Sequence, residues 1–285
     1  MLNPDRIVYL NGDFLPLKEA RISVLDRGFL FGDGVYEVIP AYGGHLFRLE
    51  QHIQRLNNSL DNIRLPLSIS IPKWKEIFNR LIKGENDQAI YLQITRGVGE
   101  KRDPAFPEGI SPTVFAMCST IPLASDAPHG IKAITLSDTR WESCHIKAIT
   151  LLANILLRQE ALDHDAGETI LLRNGLVTEG SASNVFAVIN RVIITPAKTK
   201  NILPGITREL VIELALANTI PVEEKDLPES ELRRAEEIWI ASSTREIIPV
   251  TVLDDNAVGT GQPGALWQEM HTLFQAYKTE LRIKP

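Results

Sequence analysis

The chain has 285 residues, of which 44% are hydrophobic and 23% charged, with a formal net charge of −6. That length exceeds one small core and suits two modest domains, and the composition is that of a globular protein, not a disordered one. A net acidic chain without a long Lys/Arg run lacks the electrostatic footprint of nucleic-acid binding.

In chain order, Arg6–Leu10 reads as a strand entering Asn11-Gly12-Asp13, a hairpin signal, and Val35–Tyr42 as a strand meeting a second hairpin at Gly43-Gly44. From His45 to Leu60 the spacing of Leu46, Leu49, Ile53, Leu56 and Leu60 predicts a helix. Pro72 opens another, carrying Trp74, Ile77, Phe78, Leu81 and Ile82. Ala89–Thr95 and Thr113–Cys118 are expected strands around a Gly/Pro-rich loop from Gly97 to Pro112. Further on come a strand (Ile131–Leu136), a helix (Ile149–Asp163), a hairpin turning at Arg173-Asn174-Gly175, a strand pair (Val185–Ile194) and a helix (Ile206–Asn218). A short helix (Glu229–Ala235), a strand (Glu237–Ala241) and a terminal helix (Pro263–Leu281) complete the expectation. Two α/β domains are predicted, 1–120 and 129–285, joined by a linker at 121–128 where Pro122 and Pro128 bracket short polar text.

No basic region precedes the short apolar run Ile7–Leu10, so no signal peptide is expected. The richest apolar stretch, Ile149 to Leu157, is interrupted by Thr150 and Asn154 and is no membrane span. The expectation is a soluble, cytoplasmic protein in which Cys118 and Cys144 stay reduced. Gly259-Thr260-Gly261-Gln262-Pro263-Gly264 has the glycine spacing of a dinucleotide fingerprint, but the chain ends before a second strand could follow, so a turn before the last helix is expected. Cys144-His145 is a lone dipeptide without partner ligands, so no metal site is expected.

Lys147 stands between Ile146 and the run beginning Ala148-Ile149. A lysine so bordered is partly desolvated, which favours the free amine that a Schiff-base nucleophile needs. From spacing alone, a lysine snorkelling at a helix start remains the simpler account. Gly205-Ile206-Thr207 is a helix start whose N–H groups suit an anion, and Ser242-Ser243-Thr244 and Arg55 offer hydroxyls and a charge. An N-cap, a polar turn and a surface arginine are the ordinary readings. Glu179 leaves a strand next to Gly180 in what reads as a small, flexible turn, where it either approaches a ligand or is simply solvated.

Together these segments resemble the fold-type IV pyridoxal-phosphate (PLP) aminotransferases, and within them the D-amino acid branch. The resemblance spans nearly the whole chain through Asp26-Arg27-Gly28, Phe31 to Val38, His52 to Leu56, Thr95-Arg96-Gly97, Arg140-Trp141, Ile146-Lys147, Thr178 to Phe186, Gly205 to Arg208, and Ser242-Ser243-Thr244 with Glu246-Ile247. It implies a homodimer of chains with a smaller N-terminal α/β domain and a larger, barrel-like C-terminal α/β domain. Lys147 matches the lysine that holds the cofactor and moves the substrate's α-proton, and Glu179 the acid paired with the pyridine nitrogen. Arg55, Ile206, Thr207, Ser242 and Ser243 match the phosphate cup, Leu203 the residue packed on the ring, and Tyr36 a tyrosine near the substrate carboxylate. The family's carboxylate clamp reads Arg-x-His before Phe-Pro. Here Arg102-Asp103-Pro104 precedes Phe106-Pro107 after a loop one residue longer, so Arg102 keeps its bidentate grip while Pro104 contributes no side-chain donor. The implied activity is ping-pong transamination from D-amino acids such as D-alanine to 2-oxoglutarate. The alternatives are a branched-chain L-amino acid aminotransferase and an aminodeoxychorismate lyase.

Overall fold

The computed structural model describes residues 3–121 and 129–283. The chain folds into two compact units, the first formed by 3–121, Ile146–Thr150 and 281–283, the second by 129–145 and 151–280. Of the expected linker, 121–128, all but Ile121 lies outside the described residues. From sequence the second domain was expected to run unbroken from 129; instead Ile146–Thr150, which carry Lys147, group with the first unit.

In the first unit, β1 (Ile7–Leu10) and β2 (Asp13–Pro16) form the hairpin that Asn11-Gly12 signals, with Leu10 opposite Asp13. There follow α1 (Arg27–Phe31), β3 (Gly34–Tyr42), β4 (His45–Leu46), α2 (Leu49–Asn62), α3 (Ile71–Leu81), β5 (Gln88–Thr95) and β6 (Thr113–Thr120). The strand order is β2-β1-β6-β5-β3-β4 and every pairing is antiparallel. The helix expected from His45 begins at Leu49, because His45 and Leu46 pair back onto Tyr42 and Ala41 across the Gly43-Gly44 turn. α3 starts where Ser70 caps Lys73 N–H and Pro72 occupies the first turn. Ile53, Leu56 and Leu60 of α2 meet Trp74, Ile77, Phe78 and Leu81 of α3 over Ile39, Ile90, Leu92 and Ile94 of the sheet. Each such buried side chain contributes about 1.5–3 kcal/mol, which makes this core the anchor of the unit.

Ile146–Thr150 dock on the start of β3. Ile146 packs against the core, Ala148 bridges Val35, Tyr36 N–H donates to the Lys147 carbonyl (2.9 Å) and Ile149 N–H to that of Gly34 (3.1 Å). Lys147 N–H donates to Ser59 Oγ of α2 at 3.2 Å. Gly34 is required for this approach, since a Cβ there would meet Ile94 O at 2.5 Å and Ile149 Cδ1 at 3.0 Å.

The second unit contains β7 (Ile131–Ser137), α4 (Leu152–Asp163), β8 (Glu168–Arg173), β9 (Leu176–Gly180), β10 (Asn184–Ile189), β11 (Val192–Thr195), α5 (Ile206–Ala217), β12 (Val222–Glu224), α6 (Glu229–Leu232), β13 (Glu237–Ser242), β14 (Glu246–Leu253), β15 (Asn256–Ala257) and α7 (Ala265–Arg282), whose last two residues group with the first unit. Its mixed sheet runs β12-β11-β10-β13-β14-β7-β8-β9, with β15 on β14. The β14–β7, β7–β8 and β11–β12 pairs are parallel. α4 begins at Leu152 and not at Ile149, whose N–H is committed to Gly34. β14 was not anticipated. Its Pro249 reads as a strand breaker, yet it pairs with Trp239 beside the register shift at Val250–Val252, where the ladder to β7 is already irregular. The Gly259–Gly264 segment is a turn leading into α7. Cys118 and Cys144 are both buried and unbridged.

Candidate active site

The sequence-predicted residues fall on both units. Tyr36, Arg55, Arg102 and Lys147 belong to the first, and Glu179, Leu203, Ile206, Thr207, Ser242 and Ser243 to the second.

Strand alternation sends Tyr36 and Glu37 of β3 to opposite faces. The Lys147 amine lies 4.3 Å from the centroid of the half-buried Tyr36 ring. Tyr36 in turn packs on Tyr91 at 5.9 Å, and burial, with Tyr36 beside it, pushes the Tyr91 hydroxyl up to about 12. Glu37 shares the buried row of Val35, Ile39 and Ala41, where a carboxylate needs partners. α2 supplies them at i and i+3. Arg55 donates through Nε to Oε1 and through Nη2 to Oε2, both at 2.8 Å, and His52 Nδ1 lies 2.8 Å from Oε2. Burial raises the Glu37 carboxyl, but Arg55 and His52 outweigh it and hold it well below its ordinary value. Burial lowers His52 more than Glu37 raises it, so the ring is neutral, Nδ1 carries the proton given to Glu37, and Nε2 is a buried acceptor with no partner among the described residues.

In the second unit, buried Glu179 on β9 pairs through Oε1 with Arg140 Nη1, while Oε2 accepts from Leu203 N–H (2.9 Å) and Asn184 Nδ2 (3.2 Å). Arg140 is itself chelated by Asp138, through Nε to Oδ1 and Nη2 to Oδ2, both at 2.9 Å. Burial raises Glu179 further than Arg140 and Leu203 N–H lower it, leaving it at about 7. Burial thus disfavours its ionised form, even with Arg140 paired to it. Asn184 ties the parts together, donating also to Leu203 O at 2.9 Å and pairing in register with Ala241, next to Ser242 at the end of β13. Gly205 caps α5 without a side-chain acceptor at the first turn, so the N–H groups of buried Ile206 and Thr207 remain as anion donors. A Cβ on Gly205 would fall onto Asn184 Oδ1.

The turn after Glu179, expected to be flexible, is pinned. Glu168 accepts from Thr169 N–H (2.9 Å), Ser181 N–H (3.2 Å), Ser181 Oγ and Ser183 Oγ (2.9 Å). Arg102 is exposed on the loop between β5 and β6, its guanidinium 5.1 Å from the Phe31 ring centroid. Five residues were not assigned a role from sequence: Glu37, His52, Asp138, Arg140 and Asn184. The available signal was a charge in an apolar strand row for Glu37, and i, i+3 spacing for His52 and Arg55.

The sequence profile of amino-transferase class IV matches residues 34–253. A D-alanine aminotransferase of Bacillus licheniformis is 41% identical over 273 residues, covering 94% of this chain and 95% of its own length. One from Staphylococcus epidermidis is 36% identical over 277 residues, covering 95% and 97%. Among solved structures, the Escherichia coli branched-chain amino acid aminotransferase superposes with a TM-score of 0.87 at 30% identity, over 95% of this chain and 94% of that one. The profile match takes in Lys147, Glu179 and every partner that holds them, and the chain belongs to the class IV aminotransferase family.

Proposed function

We propose that this chain is a PLP-dependent transaminase that takes the amino group of D-amino acids of the D-alanine type and delivers it to 2-oxoglutarate in two half-reactions. The observation that carries the reading is the Lys147 amine, set against the Tyr36 ring and, among the described residues of its own unit, without a carboxylate partner. The D-alanine aminotransferases similar to this chain end to end support the substrate class.

The donor set fits PLP. Glu179, buried and raised to about 7, is completed by a pyridinium proton, and the uncapped start of α5 suits a phosphate. When bound, the cofactor supplies an electron sink that acidifies the substrate's α-carbon and carries the amino group between two substrates. Lys147 Nζ anchors the cofactor, then takes the α-proton and returns it on the other side of the transfer. Glu179, fixed by Arg140, Asn184 and Leu203, keeps the ring nitrogen protonated. Ile206 and Thr207 N–H, the Thr207, Ser242 and Ser243 hydroxyls and the Arg55 guanidinium take the phosphate, and the Leu203 side chain packs on the ring. Tyr36 and Arg102 take the substrate carboxylate.

The assembly is a homodimer in this proposal. Leu152, Ile155 and Leu156 form an apolar stripe on α4 exposed by 70, 60 and 61%, a surface that a second copy would cover. A reducing, cytoplasmic setting agrees with two buried, unbridged thiols. No helix among the described residues is long and apolar enough to cross a membrane.

Incubating holoenzyme with 2-oxoglutarate and either D-alanine or L-leucine, then resolving the glutamate formed, tests the reading. D-glutamate from D-alanine supports it. L-glutamate from L-leucine alone replaces it with the branched-chain alternative.

A further inference from the structure

α1 is only one turn long, yet it carries two side chains that hold the Arg102 loop. Arg27, 4% exposed, donates through Nη1 to the carbonyls of Asp103 (2.5 Å) and Ala105 (3.2 Å) and through Nη2 to that of Pro104 (3.0 Å). Its Nε bonds to Asp33 Oδ2 at 2.8 Å, a carboxylate shared with Arg96, and its remaining donors go to three successive carbonyls. Local bonds, Asp103 N–H to Lys101 O (3.1 Å) and Ala105 N–H to Asp103 Oδ1 (3.0 Å), leave the 103–105 carbonyls to this outside donor, and Pro104 has no N–H of its own to give. At i+4 from Arg27, the Phe31 ring lies beneath two guanidinium groups, Arg27 at 4.8 Å from the centroid and Arg102 at 5.1 Å. The downstream flank is held as well. Arg96 bonds to Asp33 through Nε (2.8 Å) and Nη2 (3.0 Å) and stacks on Phe106 at 3.7 Å.

Resting on the reading that Arg102 grips the substrate carboxylate, we infer that Arg27 and Phe31 position Arg102 for that task. Arg27 latches the loop backbone at 103–105, and Phe31 seats the guanidinium by cation–π contact. α1 thereby sets how well the amino acid is held and how sharply D is told from L. With proline in place of a second side-chain donor, this backbone latch is what orders a clamp that has one guanidinium.

The test uses holoenzyme carrying Arg27→Lys, Phe31→Leu, Arg102→Ala and each of the first two combined with the third. A lysine at 27 keeps the charge opposite Asp33 but cannot span three carbonyls. Phe31→Leu removes only the aromatic face and leaves every hydrogen bond of the loop in place. With D-alanine, Arg27→Lys should raise KM about tenfold and Phe31→Leu about threefold, each with a smaller change in kcat, the pattern of lost ground-state binding. Both increments should vanish when Arg102 is already alanine. In Arg27→Lys, trypsin should cut after Arg102 about fivefold faster or more, as local opening becomes easier. If the increments persist undiminished in the Arg102→Ala background, or if trypsin cleavage is unchanged, the inference is overturned while the reading of Arg102 stands. If Arg102→Ala alone leaves KM unchanged, that reading fails and takes the inference with it.

Discussion

Glu37 and Arg55 meet through two parallel contacts of 2.8 Å inside the first unit, and neither side chain is more than 6% exposed. Removing one partner leaves the other charge buried and unbalanced, so Glu37→Gln should cost about 3–5 kcal/mol of stability, read as a lowered urea midpoint. Because the folded Glu37 carboxyl is depressed, its contribution is present above its ordinary value of 4.5 and lost as the pH falls below it. The urea-midpoint difference between wild type and Glu37→Gln should therefore shrink between pH 6 and pH 3. A difference independent of pH would show that the pair does not act through charge.

Lys147→Ala should abolish covalent cofactor attachment. Borohydride reduction of the wild-type holoenzyme should trap the cofactor on the peptide bearing Lys147, and none should be trapped in the variant. Multiple-turnover transamination should fall by about 10²–10⁴-fold or more, the range that a positioned acid–base supplies. Near-normal turnover in the variant would refute the assignment.

The raised Glu179 carboxyl makes the apoprotein pH-sensitive. Its folded value, about 7, lies above its ordinary 4.5, so the favourable protonation is fully present below 4.5 and is lost as the pH rises to 7. The melting temperature of the apoprotein should therefore drop across that window. Glu179→Gln should flatten the profile, and its holoenzyme should retain cofactor while turning over more slowly. An equally steep profile in Glu179→Gln would assign the effect elsewhere.

Gly205→Ala should disturb Glu179 without touching it. The new methyl group would displace Asn184, which donates to Glu179 and Leu203, and would also shift the start of α5. PLP affinity should fall about tenfold or more, as expected when a ligand-holding side chain is forced off its position. Equilibrium dialysis of PLP against the apoprotein measures this, and an unchanged affinity would remove Asn184 from the site.

What could be read from the sequence was local. The Asn11-Gly12 and Gly43-Gly44 hairpins, the apolar stripes of α2 and α3 and the Gly205 helix start each depend on neighbours a few residues apart, and each formed, α2 only from Leu49 onward. Lys147 and Glu179 were legible as residues in a resembling order. Their surroundings were not, because Arg140 reaches Glu179 across 39 positions and Arg55 reaches Glu37 across 18, beyond any periodicity. Pro249 hid a central strand for a related reason. The proline sits in register opposite Trp239, just before the ladder to β7 turns irregular, and β7 lies more than a hundred residues earlier in the chain.

The docking of Ile146–Thr150 on β3 has a consequence for how the protein is made. The first unit borrows those residues from the middle of the chain and 281–283 from its end, where Arg282 pairs with Asp87 at 2.6 Å. A ribosome that has released the first 121 residues has therefore not yet delivered the segment that carries the lysine, nor Arg282. The two units cannot mature in the order in which they are translated, and no single cut in the polypeptide yields both as complete fragments. Such interlacing raises the separation between contacting residues and slows assembly. It also means that a chain interrupted before Thr150 lacks the segment that presents the amine on β3, so chemistry at Lys147 waits for 146–150 to be delivered.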